Sequence, residues 1–172
     1  MIITDEKLLR IPCVDALPEE VDSIILRLEE ELALSAKNGN VGIGLAAPQI
    51  GIYKNVAIIR INKDISVNLV NCKIKNKYDL ELFEGEGCLS FPGRFEKTMR
   101  YQEIHVVDNA VYPYSFIATG LFAVVTAHEI DHLQGKLLPD FALKKEVPKK
   151  FRPNDICNCG SGIKYKRCHG KK

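Results

Sequence analysis

The chain has 172 residues, of which 46% are hydrophobic and 27% charged, as is typical of a soluble globular protein that folds without a disulfide framework. Its start lacks the pattern of a secretory signal or transit peptide, and no apolar run approaches the ~18 residues of a membrane span, so we expect a cytoplasmic protein with no membrane partner. The net charge of +2 conceals a basic end, because residues 144–172 carry a balance of +8 and the remainder −6.

The first predicted element is an amphipathic helix over residues 18–35, where apolar residues recur at spacings of three and four. Pro18 fits its first turn, and the Lys-Asn-Gly-Asn run at 37–40 predicts its end. Strand-like runs follow the glycine-rich segment 41–49, and the fourth run is expected to pair with the third. These runs are residues 56–61, 66–71, 103–108 and 114–118.

A second helix is predicted from Gly120 to Gly135, with Thr119 as its cap and Gly135 in the left-handed position past its end. Few β-α-β alternations occur, which favours an α+β fold of antiparallel strands around this central helix, plus a small zinc knuckle. Because the chain becomes polar and contains proline from Lys144 onward, we divide it into a main domain (1–145), a basic linker (146–152) and a small tail with three cysteines (153–172).

The predicted central helix contains His-Glu-x-x-His at residues 128–132. Residues four apart share one helix face, so His128 and His132 can reach a single metal ion. Glu129 is turned to the side, where a general base could take a proton from water activated by the metal. The alternative is that two surface or core histidines match the pattern by coincidence.

A catalytic metal of this kind usually has three protein ligands and one open position. Cys88 is the best candidate for the third ligand, because turn residues at 86–93 surround it. The alternative is an ordinary buried cysteine, a common fate of a free thiol. These ligands suit zinc as well as Fe(II), so the ligand set alone does not select the metal.

Three separated segments together resemble the peptide deformylases, and the resemblance covers roughly residues 8–141. The segments read Gly-Ile-Gly-Leu-Ala-Ala-Pro-Gln at 42–49, Glu-Gly-Cys-Leu-Ser at 86–90 and His-Glu-Ile-Asp-His at 128–132. The chain departs from the family pattern at three positions. Family members usually have Gln at the position of Ala127, an apolar residue at that of Thr98, and often a proline at that of Cys72.

The resemblance implies removal of the N-terminal formyl group from nascent polypeptides that begin with formylmethionine, with release of formate. It favours Fe(II) as the native ion, replaceable by nickel or cobalt, with low activity when zinc is bound. The implied metal ligands are Cys88, His128 and His132, and Glu129 is the implied general acid and base. The side-chain amide of Gln49 and the backbone N–H of Leu89 would donate hydrogen bonds to the developing oxyanion.

A stripe of apolar residues on the face of His128 could form the methionine pocket, although it could also be ordinary core. The stripe consists of Leu121, Val124 and Val125, and the resemblance implies that Ile43 closes the pocket. The backbone around Gly44 and Glu86 would pair with the substrate as an added strand. We expect Arg100 to orient Glu86 or Asp131, with a plain surface charge as the alternative.

The tail holds a second cluster of metal-ligand residues within thirteen positions, which indicates a closed structural zinc site. The cluster is Cys157, Cys159, Cys168 and His169. Residues 155–162 and 164–170 resemble the SEC-C motif found at the end of the bacterial preprotein-translocase ATPase. The surrounding positive charge predicts contact with the ribosome, through RNA or protein. A chaperone or translocation factor and a solubilising tail are the alternatives.

Two other functions compete with a deformylase. A zinc peptidase shares His-Glu-x-x-His but normally takes His or Glu as its third ligand, so a requirement for Cys88 separates the two. A binding protein that has lost catalysis would need neither Gln49 nor Glu129, and Ala127 is the feature that favours it.

Overall fold

The computed structural model describes residues 1–108, 115–143, 152–157 and 159–170. Short 3-10 turns occur at Ala47–Ile50 and Tyr165–Arg167. The helices are α1 (Glu6–Leu9), α2 (Pro18–Lys37), α3 (Gly120–Leu133) and α4 (Leu138–Phe141). The strands are β1 (Gly44–Ala46), β2 (Val56–Arg60), β3 (Ser66–Val70), β4 (Cys72–Gly87), β5 (Phe95–Asp108) and β6 (Ser115–Thr119).

Helix α2 confirms the first predicted helix and extends it by two residues. Pro18 occupies its first turn, and the Glu20 side chain accepts a hydrogen bond of 2.8 Å from the backbone N–H of Leu17. Its apolar stripe, which includes Leu28 and Leu32, packs with β1 and β2 in one hydrophobic cluster. The helix therefore covers one side of the first sheet, because its apolar residues repeat at the helical period.

The first sheet has the order β1-β2-β3, and all its pairs are antiparallel. Val56, Ala57, Ile58 and Ile59 are all fully buried, which explains why β2 reads as a continuous apolar run rather than an alternating one. Strands β2 and β3 confirm the predictions at 56–61 and 66–71, each ending one residue earlier than expected.

The second sheet has the order β4-β5-β6 and is also antiparallel. The predicted strand at 103–108 is only the end of β5, and β4 was not predicted. Most β4 residues are exposed, but charged and apolar residues alternate along 77–82, a period-two strand signal that the prediction did not use. Pairing of Val106 with Phe116 confirms the expected contact between β5 and β6, whereas the predicted turn between them lies outside the described residues.

Helix α3 contacts strands of both sheets, as the predicted α+β arrangement requires. Most of its residues are buried, including polar His128, Glu129 and His132, so the helix runs through the core. Thr119 occupies the N-cap position of the helix, as predicted, but its side chain makes no capping hydrogen bond. Gly135 follows the helix end with φ of +68°, as expected.

The tail forms a small unit around its cysteines. Ile156 pairs with Lys164, and the backbone N–H of Cys157 donates to Ile163 O at 2.8 Å. The predicted linker at 146–152 lies outside the described residues except for Arg152. Across the part of the chain that the structure describes, no helix combines the length and apolar character needed to span a membrane.

Gly135→Ala should lower the free energy of unfolding more than Gly39→Ala does, as measured by urea denaturation. Both glycines follow a helix end with positive φ, so each alanine bears a conformational cost of about 1–2 kcal/mol. A Cβ at Gly135 would also lie 2.5 Å from the backbone oxygen of Arg10, whereas a Cβ at Gly39 would have no neighbouring heavy atom within 4 Å. Equal losses in the two variants would contradict this packing argument.

Candidate active site

Helix α3 directs two imidazole rings toward one point. The ring centroids of His128 and His132 lie 4.9 Å apart at an interplanar angle of 76°, and both side chains are buried. Burial and the nearby charges of His128 and Arg100 lower the pKa of His132 well below its usual value. His132 is therefore neutral, which is the form that binds a metal ion.

Cys88 joins the two histidines from the loop that follows β4. Its Sγ lies 3.2 Å from His132 Nε2, and the potential ligand atoms of the three residues lie within 4.8 Å of one another. One sulfur and two imidazole nitrogens fit Fe(II) or zinc, and three protein ligands leave a position for water or substrate. The structure thus brings together the three ligands that the sequence predicted.

The groups around His128 shift its pKa in the opposite direction from that of His132. Burial disfavours the charged ring, but hydrogen bonds with Cys88 and Glu86 outweigh it and raise the pKa of His128 to about 10. The raised pKa favours the protonated ring. A metal ion would have to displace that proton, as is general for histidine and cysteine ligands.

The Glu86 carboxylate, near the end of β4, orients the His128 ring through a hydrogen bond at its Nδ1. Glu86 Oε1 accepts hydrogen bonds from His128 Nδ1 at 2.7 Å and from Arg100 Nη2 at 2.6 Å. Glu86 Oε2 accepts from Arg100 Nε at 2.7 Å and from Thr98 Oγ1 at 2.5 Å. Burial opposes ionisation, but the bonds to His128 and Arg100 prevail and lower the pKa of Glu86 to about 2.

Arg100 contacts both carboxylates that the sequence offered as alternatives. Besides its two bonds to Glu86, it donates from Nη1 to Asp131 Oδ2 at 2.6 Å. The Phe141 ring covers the guanidinium at 4.3 Å from its centroid. The side chain is only 6% exposed, so the alternative of a surface charge is wrong.

Glu129 lies against the backbone of β1. A Cβ at Gly44 would stand 2.3 Å from Glu129 Oε1, so only glycine permits this approach. Glu129 Oε2 is buried and has no hydrogen-bond partner among the described residues. Burial and the charge of Glu86 raise the pKa of Glu129 to about 7, although His128 opposes the shift. A carboxyl group with this pKa can both accept and deliver a proton near neutral pH.

Gln49 reaches the same point from the 3-10 turn after β1. Its Oε1 accepts the backbone N–H of Ala46 at 2.8 Å, which directs Nε2 toward Cys88 and Ser90. Gln49 Nε2 lies 3.6 Å from Cys88 Sγ and 3.1 Å from Ser90 Oγ. Leu89 lies beside Cys88 and packs over Gly42, where a Cβ would meet the Leu89 side chain at 2.5 Å.

A cavity of about 580 Å³ opens in front of these groups. Its lining includes Gly44, Glu86 and the four predicted pocket residues, which are Ile43, Leu121, Val124 and Val125. Val124 and Val125 are buried, whereas Leu121 is 47% exposed at the opening. Aromatic residues that the sequence did not single out also line the cavity, namely Phe83, Phe91 and Phe95.

The four predicted tail ligands also converge, with potential ligand atoms within 4.8 Å of one another. Hydrogen bonds lower the pKa of two of the thiols, that of Cys157 through the Cys159 backbone and that of Cys159 through Ser161. A lowered pKa favours the thiolate, which is the form that binds metal. Four protein ligands would leave no open position, as in a structural site.

Sequence reasoning missed the contacts of Thr98, Ser90 and Phe141. Thr98 had a usable signal, because it lies two residues before Arg100 on a strand and so shares its face. Ser90 belongs to the Glu-Gly-Cys-Leu-Ser segment but has no pattern that indicates its bond to Gln49. The position of Phe141 over Arg100 depends on tertiary packing alone.

Arg100→Met should lower the free energy of unfolding by about 3–5 kcal/mol, because it leaves the buried Glu86 charge without its main partner. Urea denaturation measures the loss. Lys97→Met on the same strand is the control, since Lys97 and Glu84 form an exposed ion pair worth less than about 1 kcal/mol. Similar losses in both variants would show that the buried Arg100 network does not stabilise the fold.

Known proteins match the chain over most of its length. The polypeptide deformylase family model matches residues 2–147, and the SEC-C motif model matches residues 154–171. Peptide deformylase 1 of Pseudomonas syringae pv. tomato is 37% identical over 124 residues, 66% of this chain and 74% of that protein. The peptide deformylase of Azotobacter vinelandii is 34% identical over 148 residues, 78% of this chain and 86% of that protein.

Solved structures agree with these sequence matches. A peptide deformylase from Synechococcus elongatus in complex with actinonin has a TM-score of 0.72 and 31% identity, covering 84% of this chain and 79% of that one. A peptide deformylase from Legionella pneumophila has a TM-score of 0.71 and 30% identity, covering 83% and 85%. The chain therefore belongs to the polypeptide deformylase family and carries a SEC-C motif at its C-terminal end.

Proposed function

We propose that this protein hydrolyses the N-terminal formyl group of formylmethionyl nascent polypeptides in the cytoplasm, and that Cys88, His128 and His132 hold its catalytic metal. The convergence of these three side chains beside a buried Glu129 carries the proposal. Family membership supports a metal-dependent hydrolase of the formyl amide. A cysteine in the ligand set argues against the zinc peptidase alternative.

The protein's own groups account for the proton movements. When bound, a divalent metal would act as a Lewis acid that polarises the formyl oxygen and acidifies water. Glu129 would accept the proton that the attacking water loses and deliver it to the nitrogen of the breaking C–N bond. The products are formate and a free N-terminal amine. The pKa of about 7 suits Glu129 to both transfers.

Two donors would stabilise the negative charge that develops on the formyl oxygen. We assign this role to Gln49 Nε2, which lies 3.6 Å from Cys88 Sγ, and to the backbone N–H of Leu89. The bond between Gln49 Oε1 and Ala46 orients the amide before substrate arrives. Preorganised donors of this kind lose little energy in reorientation during the reaction.

We propose Fe(II) as the catalytic ion, with nickel or cobalt as functional substitutes and zinc as a weak one. The ligand set of one thiolate and two imidazoles supports this range of metals. Family likeness favours Fe(II) within that range. Anaerobic purification with metal analysis addresses the choice, because Fe(II) at such a site is easily lost to oxidation.

The cavity supplies the substrate site. The methionine side chain would lie against Ile43, Val124 and Val125, with Leu121 at the opening. The peptide backbone would pair with the strand edges at Gly44 and Glu86, both of which line the cavity. This mode recognises the main chain through hydrogen bonds and therefore tolerates varied residues after methionine.

Glu129→Ala should reduce formate release from formyl-Met-Ala-Ser by about 10²–10⁴-fold, the usual range for loss of a general base. Anaerobically prepared Fe(II) protein is assayed beside Glu30→Ala, which removes an exposed carboxylate on α2 and should keep full activity. Unchanged release by the Glu129 variant would exclude its assigned role. Absence of release by the unaltered, metal-loaded protein would favour a binding protein or another amide substrate.

For the tail, we propose that Cys157, Cys159, Cys168 and His169 bind a structural zinc ion, and that the basic surface around them contacts the ribosome. The convergence of the four side chains supports a metal site, and the pKa is lowered for Cys157 and Cys159 but raised for Cys168. Lys164, Lys166 and Arg167 are exposed beside it, and phosphate contacts of this kind weaken as salt concentration rises. A protein surface of the ribosome is the second possible contact.

Full-length protein should pellet with ribosomes more strongly than a protein of residues 1–150, and the difference should shrink with increasing salt. A full-length variant with alanine at Lys164, Lys166 and Arg167 isolates the charge effect, because it keeps all four zinc ligands. Equal pelleting of the three proteins would exclude ribosome docking by the tail. Loss of pelleting in the truncated protein but not in the alanine variant would favour an uncharged contact instead.

A further inference from the structure

Thr98 is a buried polar residue to which the proposed chemistry assigns no role. It lies on β5 and is 0% exposed. Its hydroxyl donates to Glu86 Oε2 at 2.5 Å, a short bond to a charged acceptor.

The hydroxyl completes the hydrogen bonding of Glu86. A carboxylate offers about four acceptor positions. Two donors occupy Oε1, from His128 and Arg100, and two occupy Oε2, from Arg100 and Thr98. Removal of the Thr98 hydroxyl would leave Oε2 with the Arg100 bond alone, inside a site where the Glu86 side chain is 4% exposed.

Of the two histidine rings, only that of His128 has a hydrogen-bond partner at Nδ1 within the described residues. Glu86 accepts from His128 Nδ1 and so directs the other ring nitrogen toward the metal position. His132 Nδ1 is buried and has no hydrogen-bond partner within the described part of the chain. The orientation of His128 therefore depends on how firmly Glu86 itself is held.

We propose that Thr98 is a positioning residue that holds the plane of the Glu86 carboxylate and thereby keeps His128 aligned to retain the catalytic metal. The terminal torsion of a glutamate is broad and roughly two-fold, so its carboxylate plane needs external restraint. Arg100 restrains the carboxylate from one side with a bidentate contact, and Thr98 adds a contact from a different backbone position. The proposal rests on the catalytic metal ligands assigned above.

Cobalt(II) retention tests the proposal without an activity assay. Full-length proteins are loaded with Co(II), and visible absorption is followed after addition of excess chelator. Cys88→Ser protein, which keeps all four tail ligands, serves as the blank, so that the difference signal reports the catalytic site. Absence of any difference between unaltered protein and this blank would contradict the ligand assignment rather than the role of Thr98.

Thr98→Val should lose Co(II) about tenfold faster than the unaltered protein, at the lower end of the ~10–100-fold effects of groups that support metal ligands. Thr98→Ser, which restores the hydroxyl, should return the rate to within about twofold. Thr126→Val is the matched control, because Thr126 is also fully buried but donates to Phe122 O within α3. An unchanged rate in Thr98→Val, or equal rates in the Val and Ser variants, would overturn the proposal.

A double-mutant comparison distinguishes positioning from general loosening of the core. If Thr98 acts through Glu86, Thr98→Val should add no further acceleration of Co(II) loss to a Glu86→Gln protein. Independent, multiplying effects of the two substitutions would overturn the proposal. Thermal unfolding of each variant confirms that folded proteins are compared, and Thr98→Ala replaces Thr98→Val if the valine variant does not fold.

Discussion

The negative charge of Glu86, buried between Arg100 and His128, constrains the arrangement of the whole site. Removal of a carboxylate from water costs several kcal/mol, which only close, well-aligned donors can offset. The donors come from β5 and α3, and their bonds draw the end of β4 toward both elements. The same bonds that satisfy this charge also set the direction in which His128 faces.

A second constraint is the absence of side chains at Gly42, before β1, and at Gly44, its first residue. At Gly44, backbone and the Glu129 carboxylate come so close that any Cβ would displace one of them. At Gly42, the Leu89 side chain occupies the corresponding space. These two contacts bring the first sheet against the helix and against the loop that carries Cys88. The same contacts therefore determine both the packing of the fold and the arrangement of the site.

The two clusters of metal-ligand residues differ in chemistry. Three ligands at Cys88, His128 and His132 would leave a position free beside a general base and an open cavity, as a reaction requires. The tail cluster offers four ligands in a segment with few apolar residues, as a structural ion requires. One chain thus combines a site suited to catalysis with one suited to holding a short segment folded.

Local patterns in the sequence determined helix α2, the central helix and the spacing of His128 and His132, because the helical period acts over a few residues. The turn residues at 86–93 indicated Cys88, and helical spacing indicated the apolar stripe of the cavity, whereas the roles of Gln49 and Ile43 came from the family resemblance. Strand β4, whose end supplies Glu86, was not predicted even though charged and apolar residues alternate along 77–82.

Only the tertiary structure decided which groups meet across long stretches of chain. Glu86 and His128 are 42 residues apart, and their contact depends on the position of β4 against α3. The bond from Thr98 depends on strand register, and the cover that Phe141 provides over Arg100 depends on the packing of α4. Sequence periodicity identifies the face on which a residue lies, whereas its partner on another element follows from packing of the whole chain.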